Sequence, residues 1–359
     1  MGGNMAYRCM IINLGSTSTK VAVYDDLNEV FRESIAHSQE ELSEFDSIWD
    51  QQIFRKNKIV KTLEHNGYKM SEFDAISCRG GNTKPIPGGI YILNQEMIED
   101  MKSEKYGVHP TNVGNVIAYN LGLELNIPVI VADPPVTDEL CDLARFSGIK
   151  EIPRMSSFHA LNQKRTAKKI ANDLGKYYSE LNLIVAHLGG GISIAAHEKG
   201  LVIDVNNALD GDGPFSPERA GTVPVGDVIR MCYSGAFTLD QMIKKVRGNG
   251  GLMSYLGTNS GLEVEKRIKN GDVYAQKVYE AMAYHISKEI GATCAVMSGK
   301  VDGIVLTGSL AYSEMLTAWI KERTEFIAPI YILAGENEML SLAEGAMRYL
   351  SGEEEAKSY

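Results

Sequence analysis

The chain has 359 residues, enough for two ordinary domains, and its 44% hydrophobic and 23% charged residues are typical of a globular enzyme. A net charge of −10, with no basic patch interleaved with aromatic residues, argues against a nucleic-acid partner. No apolar run has the length of a membrane span, no signal-peptide pattern is found, and the cysteines form neither a disulfide framework nor a zinc set, so we expect a cytoplasmic protein with no membrane partner.

Residues 10–25 (MIINLGSTSTKVAVYD) predict a β-hairpin closed by a polar turn. Apolar strands are expected over 10–14 and 21–24, and the turn between them offers backbone N–H groups, four consecutive hydroxyls and Lys20. Such a turn can bind an anion, because its dipoles converge where no side chain blocks approach. It is neither a Walker loop, whose second Gly and following helix are missing, nor a dinucleotide fingerprint. Taken alone, an ordinary hairpin with a polar turn is an equally good interpretation.

Alternating helices and strands are predicted up to residue 135. In chain order we expect a polar excursion (28–55), a helix (53–65), a strand (73–77), an extended segment (90–93), a helix (94–106), a helix reaching residue 120 and a buried parallel strand (128–132). Arg79 follows one of these strands and Asp133 follows another. Ligands of open α/β sheets bind at the carboxyl ends of strands, so both residues are candidates for a site.

The second half of the chain repeats the first pattern. Residues 183–196 (LIVAHLGGGISIAA) again predict strand, Gly-rich turn and strand, about 170 residues after the first hairpin. The other expected elements are mostly helix over 136–182, a loop (206–226), helices (239–247, 263–297), strands (302–307, 330–334), a helix ending at 350 and a frayed tail (352–359). This repeated strand–turn–strand pattern predicts a duplicated α/β fold with a cleft between its halves.

Three segments together carry a resemblance to a known superfamily. Residues 13–20 (NLGSTSTK), 187–193 (HLGGGIS) and 307–309 (TGS) resemble the two phosphate motifs and the adenosine motif of the acetate and sugar kinase, heat-shock ATPase and actin superfamily. Within it the chain resembles the acetate and butyrate kinase family, and most closely the butyrate kinases. The resemblance implies two ribonuclease-H-like (actin-like ATPase) domains flanking a nucleotide cleft, residues 1–138 with helix 339–359 and residues 139–338.

The resemblance also implies ligands and site residues. The implied ligands are ATP/ADP, Mg²⁺ and a short-chain carboxylate such as butanoate, and the implied assembly is a homo-oligomer, dimeric or higher. The implied residues are catalytic Arg79, Arg219, His187, His159 and Asp133; nucleotide-binding Asn13, Gly15, Ser16, Thr17, Ser18, Gly189, Gly190, Gly191, Gly308 and Ser309; acyl-pocket Gly80, Gly81, Val108, His109 and Phe158; and the Mg²⁺ ligands Glu338 and Asp133.

These residue types suit the transfer of a phosphoryl group to a carboxylate. The acceptor is already ionised at pH 7, so no strong base is needed and the work is positioning and charge neutralisation. The planar guanidinium groups of Arg79 and Arg219 can hold carboxylate or phosphoryl oxygens bidentately. His187 would donate to an equatorial oxygen, and carboxylates would hold the hard Mg²⁺ ion. Considered singly, Asp133 could equally cap a turn, His187 could be a core histidine and Glu338 could complement a helix dipole.

The sequence departs from the acetate kinase pattern at three places. Cys78 replaces a His, Gly190 replaces an Asn, and Gly80-Gly81 replaces two valines that wall the acyl pocket in acetate kinases. We expect the two glycines to leave room for a longer acyl chain, which favours butanoate. The alternatives are an acetate, propionate or branched-chain fatty acid kinase, a non-metabolic actin or heat-shock-type ATPase, and a sugar kinase in which Asp133 is the base.

Overall fold

The computed structural model describes residues 6–359, which form two compact units. Unit 1 comprises the chain up to Thr137 together with Asn337–Tyr359, and unit 2 comprises Asp138–Glu336. None of the helices within residues 6–359 is long and apolar enough to cross a membrane.

Strands and α-helices alternate along residues 6–359. The strands are β1 (Arg8–Leu14), β2 (Ser18–Asp25), β3 (Asn28–Ala36), β4 (Ala75–Cys78), β5 (Ile90–Ile92), β6 (Val129–Ala132), β7 (Asn182–Leu188), β8 (Ile192–Glu198), β9 (Leu201–Val205), β10 (Gly303–Gly308), β11 (Ile330–Ala334) and β12 (Ala356–Lys357). The α-helices are α1 (Gln39–Ser43), α2 (Gln52–His65), α3 (Gln95–Lys102), α4 (Pro110–Leu125), α5 (Ala160–Asp173), α6 (Val225–Cys232), α7 (Leu239–Val246), α8 (Gly251–Leu256), α9 (Gly261–Lys269), α10 (Val273–Val296), α11 (Glu314–Thr324) and α12 (Glu338–Leu350).

Unit 1 is built on a mixed sheet with the strand order β12-β5-β6-β4-β1-β2-β3. Strands β1, β2 and β3 form an antiparallel meander, whereas β4 and β6 run parallel to β1. The carboxyl ends of parallel strands meet at one edge of a sheet. The turn after Leu14, Arg79 after β4 and Asp133 after β6 are therefore all placed at the same edge.

Unit 2 repeats this arrangement on a sheet with the order β11-β10-β7-β8-β9. An antiparallel meander (β7, β8, β9) is again followed by strands β10 and β11 that run parallel to the first. Gly189, Gly308 and Gly335 follow or close the parallel strands and lie at the corresponding edge. The repeated strand order confirms the predicted duplication of a ribonuclease-H-like α/β unit.

Helices cover each sheet because the strands are apolar on both faces. In unit 1 the core joins Ile12 and Val131 of the sheet to Val116 of α4, all at most 1% exposed. In unit 2 the long helix α10 buries Met282 and Ile286 against the sheet. The apolar spacing on this helix is thus explained by core packing.

Three predicted segments differ from the structure. Residues 28–36, expected to be a polar excursion, form the edge strand β3, in which only Phe31 and Ile35 are partly buried against the core and the other side chains are exposed. Residues 136–182, expected to be mostly helical, contain α5 and otherwise only short 3₁₀ turns and irregular chain. The tail, expected to be frayed, adds the two-residue strand β12 beside β5, and Lys357 donates to the Gly88 carbonyl.

Candidate functional site

The first phosphate turn closes the β1–β2 hairpin. Leu14 pairs with Thr19, and the Gly15 N–H donates to the Ser18 carbonyl at 2.9 Å, which folds residues 15–18 into a tight loop. The side chains of Ser16 and Thr17 are exposed at its tip. The predicted turn is therefore present, and its tip is open to an incoming anion.

Glu338 joins two predicted site residues in unit 1. It stands in the first turn of α12, where its Oε1 lies 2.9 Å from Arg79 Nη1 and its Oε2 accepts from Asn13 Nδ2 at 2.5 Å. The side chains of Arg79 and Glu338 are 41% and 28% exposed. The structure thus brings a cation, a carboxylate and an amide together beside the first turn, with solvent access.

Asp133 is held in a different way from Glu338. Its backbone has φ +42°, an uncommon conformation for a residue with a side chain, and the residue is 2% exposed. Its Oδ1 accepts from the Gly89 N–H at 2.8 Å, and its Oδ2 lies 3.9 Å from Arg348 Nη2. The carboxylate is therefore engaged inside unit 1 and ties the end of β6 to the loop before β5.

The two glycines after Arg79 do not leave open space. A Cβ placed on Gly80, which has φ +81°, would lie 2.8 Å from the Cβ of Pro134, and a Cβ on Gly81 would lie 2.8 Å from Met101 Sδ. The space that a side chain on either glycine would enter is thus occupied by neighbouring side chains, and the glycines permit this close approach. The room that Gly80 and Gly81 leave for a longer acyl chain stays a prediction.

The remaining residues of the predicted acyl pocket lie in different surroundings. Val108 is exposed in the loop before α4, and His109 is the N-cap of that helix, its Nδ1 accepting from the Thr111 N–H at 3.3 Å. Partial burial and the nearby Arg79 lower the pKa of His109. Phe158 is 9% exposed and belongs to a core cluster of unit 2.

Cys78 replaces the histidine of the acetate kinase pattern and is buried. Its thiol donates to Asn115 Oδ1 at 3.0 Å, and burial raises its pKa to about 12. The thiol therefore stays protonated at neutral pH, and its contact with α4 is structural.

Two stacked histidines stand beside the second phosphate turn. The rings of His159 and His187 are 3.7 Å apart between centroids and inclined by 10°. His159 Nδ1 lies 2.9 Å from Ser193 Oγ, on the strand that leaves the turn. Burial, with added contributions from His159 and Arg219, lowers the pKa of His187 well below its usual value, so this imidazole is neutral at pH 7.

Asn162, which the sequence motifs do not reveal, sets the tautomer of His187. The Thr307 hydroxyl donates its hydrogen to the Gly335 carbonyl at 3.1 Å, so Thr307 can only accept from the Asn162 amide at 3.2 Å. The group facing Thr307 is therefore Nδ2, which also lies 2.8 Å from His187 Nδ1. Since an amide nitrogen only donates, Nδ1 of the histidine accepts and its hydrogen is on Nε2. The position of Asn162, one turn after His159 on α5, is the signal that could have found it.

Arg219 lies against the second turn. Its Nη1 donates to the Ala208 carbonyl, and a Cβ placed on Gly191 would collide with its guanidinium. Ser216 links the two segments, since its Oγ donates to the Gly190 carbonyl at 2.6 Å and accepts from the Arg219 N–H at 3.2 Å. The structure thus brings together Arg219, Gly190 and Gly191 as the sequence predicted.

The third glycine motif closes the same edge of unit 2. Gly308 has φ +88°, and a Cβ placed there would collide with the Leu188 carbonyl. Gly308 and Gly335 exchange backbone hydrogen bonds of 3.2 and 2.8 Å, and Ser309 is exposed beside them. Gly189 completes the group, because a Cβ there would lie 3.0 Å from His187 Nε2.

Comparison with known proteins agrees with this architecture. The model of the acetokinase family matches residues 148–322. The chain is 51% identical over 355 residues to a probable butyrate kinase of Clostridium botulinum strain Eklund 17B, with 99% of this chain and 100% of that protein covered. It is 48% identical to butyrate kinase 2 of Clostridium acetobutylicum over the same shares. The acetate kinase structure of Porphyromonas gingivalis superposes with a TM-score of 0.79 at 17% identity, covering 96% of this chain and 99% of that one.

The repeated sheets and the structural match define an actin-like ATPase fold of the acetate kinase type. With curated relatives near 50% identity over the full length, the chain belongs to the acetokinase family.

Replacing Asn162 with Leu should lower kcat about ten-fold and leave both substrate KM values nearly unchanged. The change leaves a buried His187 Nδ1 unpaired and no longer holds the hydrogen on Nε2, a loss on the order of 1–3 kcal/mol. Steady-state kinetics measures the effect. Asn182→Leu is the matched control, because Asn182 is also a buried asparagine of unit 2 whose Nδ2 donates to a backbone carbonyl, that of Lys300. An unchanged kcat in folded Asn162→Leu would contradict the assigned tautomer.

Proposed function

We propose that this protein is a carboxylate kinase that transfers the γ-phosphoryl group of ATP to butanoate and yields butanoyl phosphate and ADP, reversibly and by direct in-line transfer. The observation that carries the proposal is the 51% identity over the full length to a protein named probable butyrate kinase. The family uses ATP and ADP, and the charged residues around both turns fit such a reaction.

Unit 1 supplies the groups for the acceptor. Arg79 holds the carboxylate of butanoate, whose oxygen is already ionised and attacks without a general base. The first turn, Ser16 to Ser18, whose tip residues Ser16 and Thr17 are exposed, holds the phosphoryl group that is transferred. Glu338 keeps the guanidinium of Arg79 beside Asn13.

Unit 2 supplies the groups for the nucleotide and for the charge of the transition state. His187 stays neutral and donates from Nε2, the atom next to Gly189, to an equatorial phosphoryl oxygen. Arg219 neutralises charge on the same group. His159 packs on the ring of His187 and fixes its plane. The turn at 189–191 binds phosphate, and Gly308-Ser309 lies on the adenosine side.

The residues beside the first turn also fit a magnesium ion. Mg²⁺ prefers hard oxygen ligands, keeps several waters and is bound by one or two carboxylates. Glu338, partly exposed and next to Asn13, fits this requirement. Asp133 fits it less well, since its carboxylate is buried and already accepts from Gly89. When bound, the ion would neutralise charge on the phosphate oxygens. We assign Glu338 as its carboxylate ligand and Asp133 to the support of the strand end.

Trapping the acyl phosphate with hydroxylamine tests the proposal. With Mg·ATP and a series of acids from two to six carbons, we expect hydroxamate formation with the highest kcat/KM for butanoate. If kcat/KM were highest for acetate, propionate or a branched acid, the protein would still be a carboxylate kinase, but its substrate would not be butanoate. ATP hydrolysis that forms no hydroxamate with any acid would instead favour the non-metabolic ATPase, and ADP release that depends on a hexose would favour a sugar kinase. The homo-oligomer and the cytoplasmic location stay predictions.

A further inference from the structure

Arg55 lies on α2 behind the first phosphate turn and is 1% exposed. Its guanidinium makes an unusual set of bonds, all to neutral acceptors. These are Gln51 Oε1 at 3.0 Å, Gly15 O at 3.0 Å, Ser16 O at 2.7 Å, Ser18 O at 3.3 Å and Thr19 Oγ1 at 3.3 Å. A single side chain thus bonds the carbonyls of Gly15, Ser16 and Ser18, and the Thr17 carbonyl accepts from the His37 N–H.

The charge of Arg55 has no carboxylate partner among residues 6–359. Burial alone lowers the pKa of Arg55, and no acidic group acts to raise it. A guanidinium nevertheless stays protonated in proteins. Nearby His37, bonded to Thr19 Oγ1 at 2.8 Å, has its pKa lowered to about 4 by burial and by Arg55 and Lys58, against an opposing effect of Glu41. Glu41 is the acid on this side, and it does not act on the pKa of Arg55. Lys58 is paired with Glu41.

A buried cation without an anion is costly, and proteins ordinarily pair such groups. Arg8, on β1 of the same unit, shows the ordinary arrangement, since its guanidinium contacts Asp25 at 2.7 Å and Glu72 at 3.1 Å. Arg55 lacks this arrangement although it is far more buried. Its counter-charge therefore has to come from something that binds on the other side of the turn.

The geometry of the turn shows in which direction its backbone N–H groups point. All peptide bonds of the described chain are trans, so the C=O and N–H of one peptide point in opposite directions. The carbonyls of Gly15 and Ser16 point at Arg55, and the N–H groups of Ser16 and Thr17 consequently point away from it, toward the exposed tip. Arg55 therefore both orients and polarises these donors.

We infer that Arg55 is a positioning residue of the first phosphate turn and that its missing counter-charge is the transferring phosphoryl group. This inference rests on the proposed function, because it deepens the role of the turn in ATP binding. Arg55 acts through the turn and does not touch the nucleotide. It makes the turn selective for a nucleotide that carries the third phosphate.

Direct binding of ATP and ADP in the presence of Mg²⁺ tests this role by isothermal titration. In Arg55→Met we expect ATP affinity to fall about ten-fold or more while ADP affinity changes little, because in the proposed reaction the first turn holds the transferring phosphoryl group, which ADP lacks. Arg55→Lys keeps the positive charge but loses the planar guanidinium that bonds several carbonyls at once. Its ratio of ATP to ADP affinity should therefore lie between the ratios of the wild type and Arg55→Met. Arg8→Met is the control, which removes an arginine of the same unit that is paired with carboxylates and should leave the ratio of ATP to ADP affinity unchanged.

A folded Arg55→Met with the wild-type ratio of ATP to ADP affinity would overturn the inference. An equal loss of ATP and ADP affinity would also overturn it, because a purely structural role produces that result. If Arg55→Met does not fold, Arg55→Lys decides, with an expected fall in the ratio of about three-fold and an unchanged ratio as the opposing result. Hydroxamate formation by the wild type is measured on the same preparations. A wild type that forms none refutes the proposed substrate, whereas the binding ratio still decides the role of Arg55.

Discussion

Arg219→Ala should lower kcat/KM for phosphoryl transfer to butanoate by on the order of 10³-fold, by analogy with arginines that neutralise a transferring phosphoryl group. The guanidinium is partly buried and lies across Gly191 of the second turn. Glu218 and Asp210 act on its pKa through space, and its side-chain hydrogen bond goes to the Ala208 carbonyl, so no carboxylate holds it in a hydrogen bond among the described residues. Arg219→Lys should recover only a small part of the activity, because an ammonium group cannot make the bidentate contact.

Arg247→Ala provides the control for this prediction. Arg247 lies near Asp210 and its backbone pairs with that of Arg219, yet its side chain is exposed. Its loss should change kcat/KM less than three-fold, since exposed pairs contribute little. Melting temperatures of both variants separate chemistry from stability. A folded Arg219→Ala that retains a tenth or more of the activity, by the hydroxamate assay, would show that another group carries this charge.

The hairpins and the duplication were predictable from the sequence because they rest on local signals. Strands β1 and β7 are unbroken apolar runs that enter Gly-containing turns, and each is buried along nearly its whole length. Strand β3 was not predictable because only Phe31 and Ile35 pack on the core, four residues apart, which is too little to show a period of two in a mostly polar segment. Strand β12 was not predictable because two polar residues cannot form a pattern at all.

The candidate site was predictable where a residue directly follows a parallel strand. Arg79 and Asp133 are such residues, and the parallel register of β1, β4 and β6 places both at one edge. Arg55 was not predictable because its partners in the first turn are about 40 residues away in the sequence. Asn162 lies 145 residues from Thr307, so its only local signal is its position one turn after His159.

The close packing around Gly80 and Gly81 was not predictable for a related reason. Protein interiors are densely packed, and Pro134 and Met101 lie where a Cβ on these glycines would extend. These neighbours come from elsewhere in the chain, and local sequence cannot show them.

Gly191→Ala should lower kcat about 10²-fold although the new side chain is a single methyl group. Gly191 does not have a positive φ, so its backbone accepts alanine without strain. The added Cβ collides with the guanidinium of Arg219, which has to leave its place over the turn. A misplacement of about 1 Å in a positioning group can cost 10²-fold in rate.

A double-mutant cycle shows whether this loss passes through Arg219. With Arg219→Ala already present, no guanidinium remains to be displaced, so adding Gly191→Ala should reduce kcat less than three-fold further. Gly148→Ala is the control, since a Cβ there meets no atom within 4 Å and the change should leave kcat unaltered. If the two losses multiplied instead, the methyl group would act on the phosphate directly, and the turn rather than the arginine would be the sensitive element at this position.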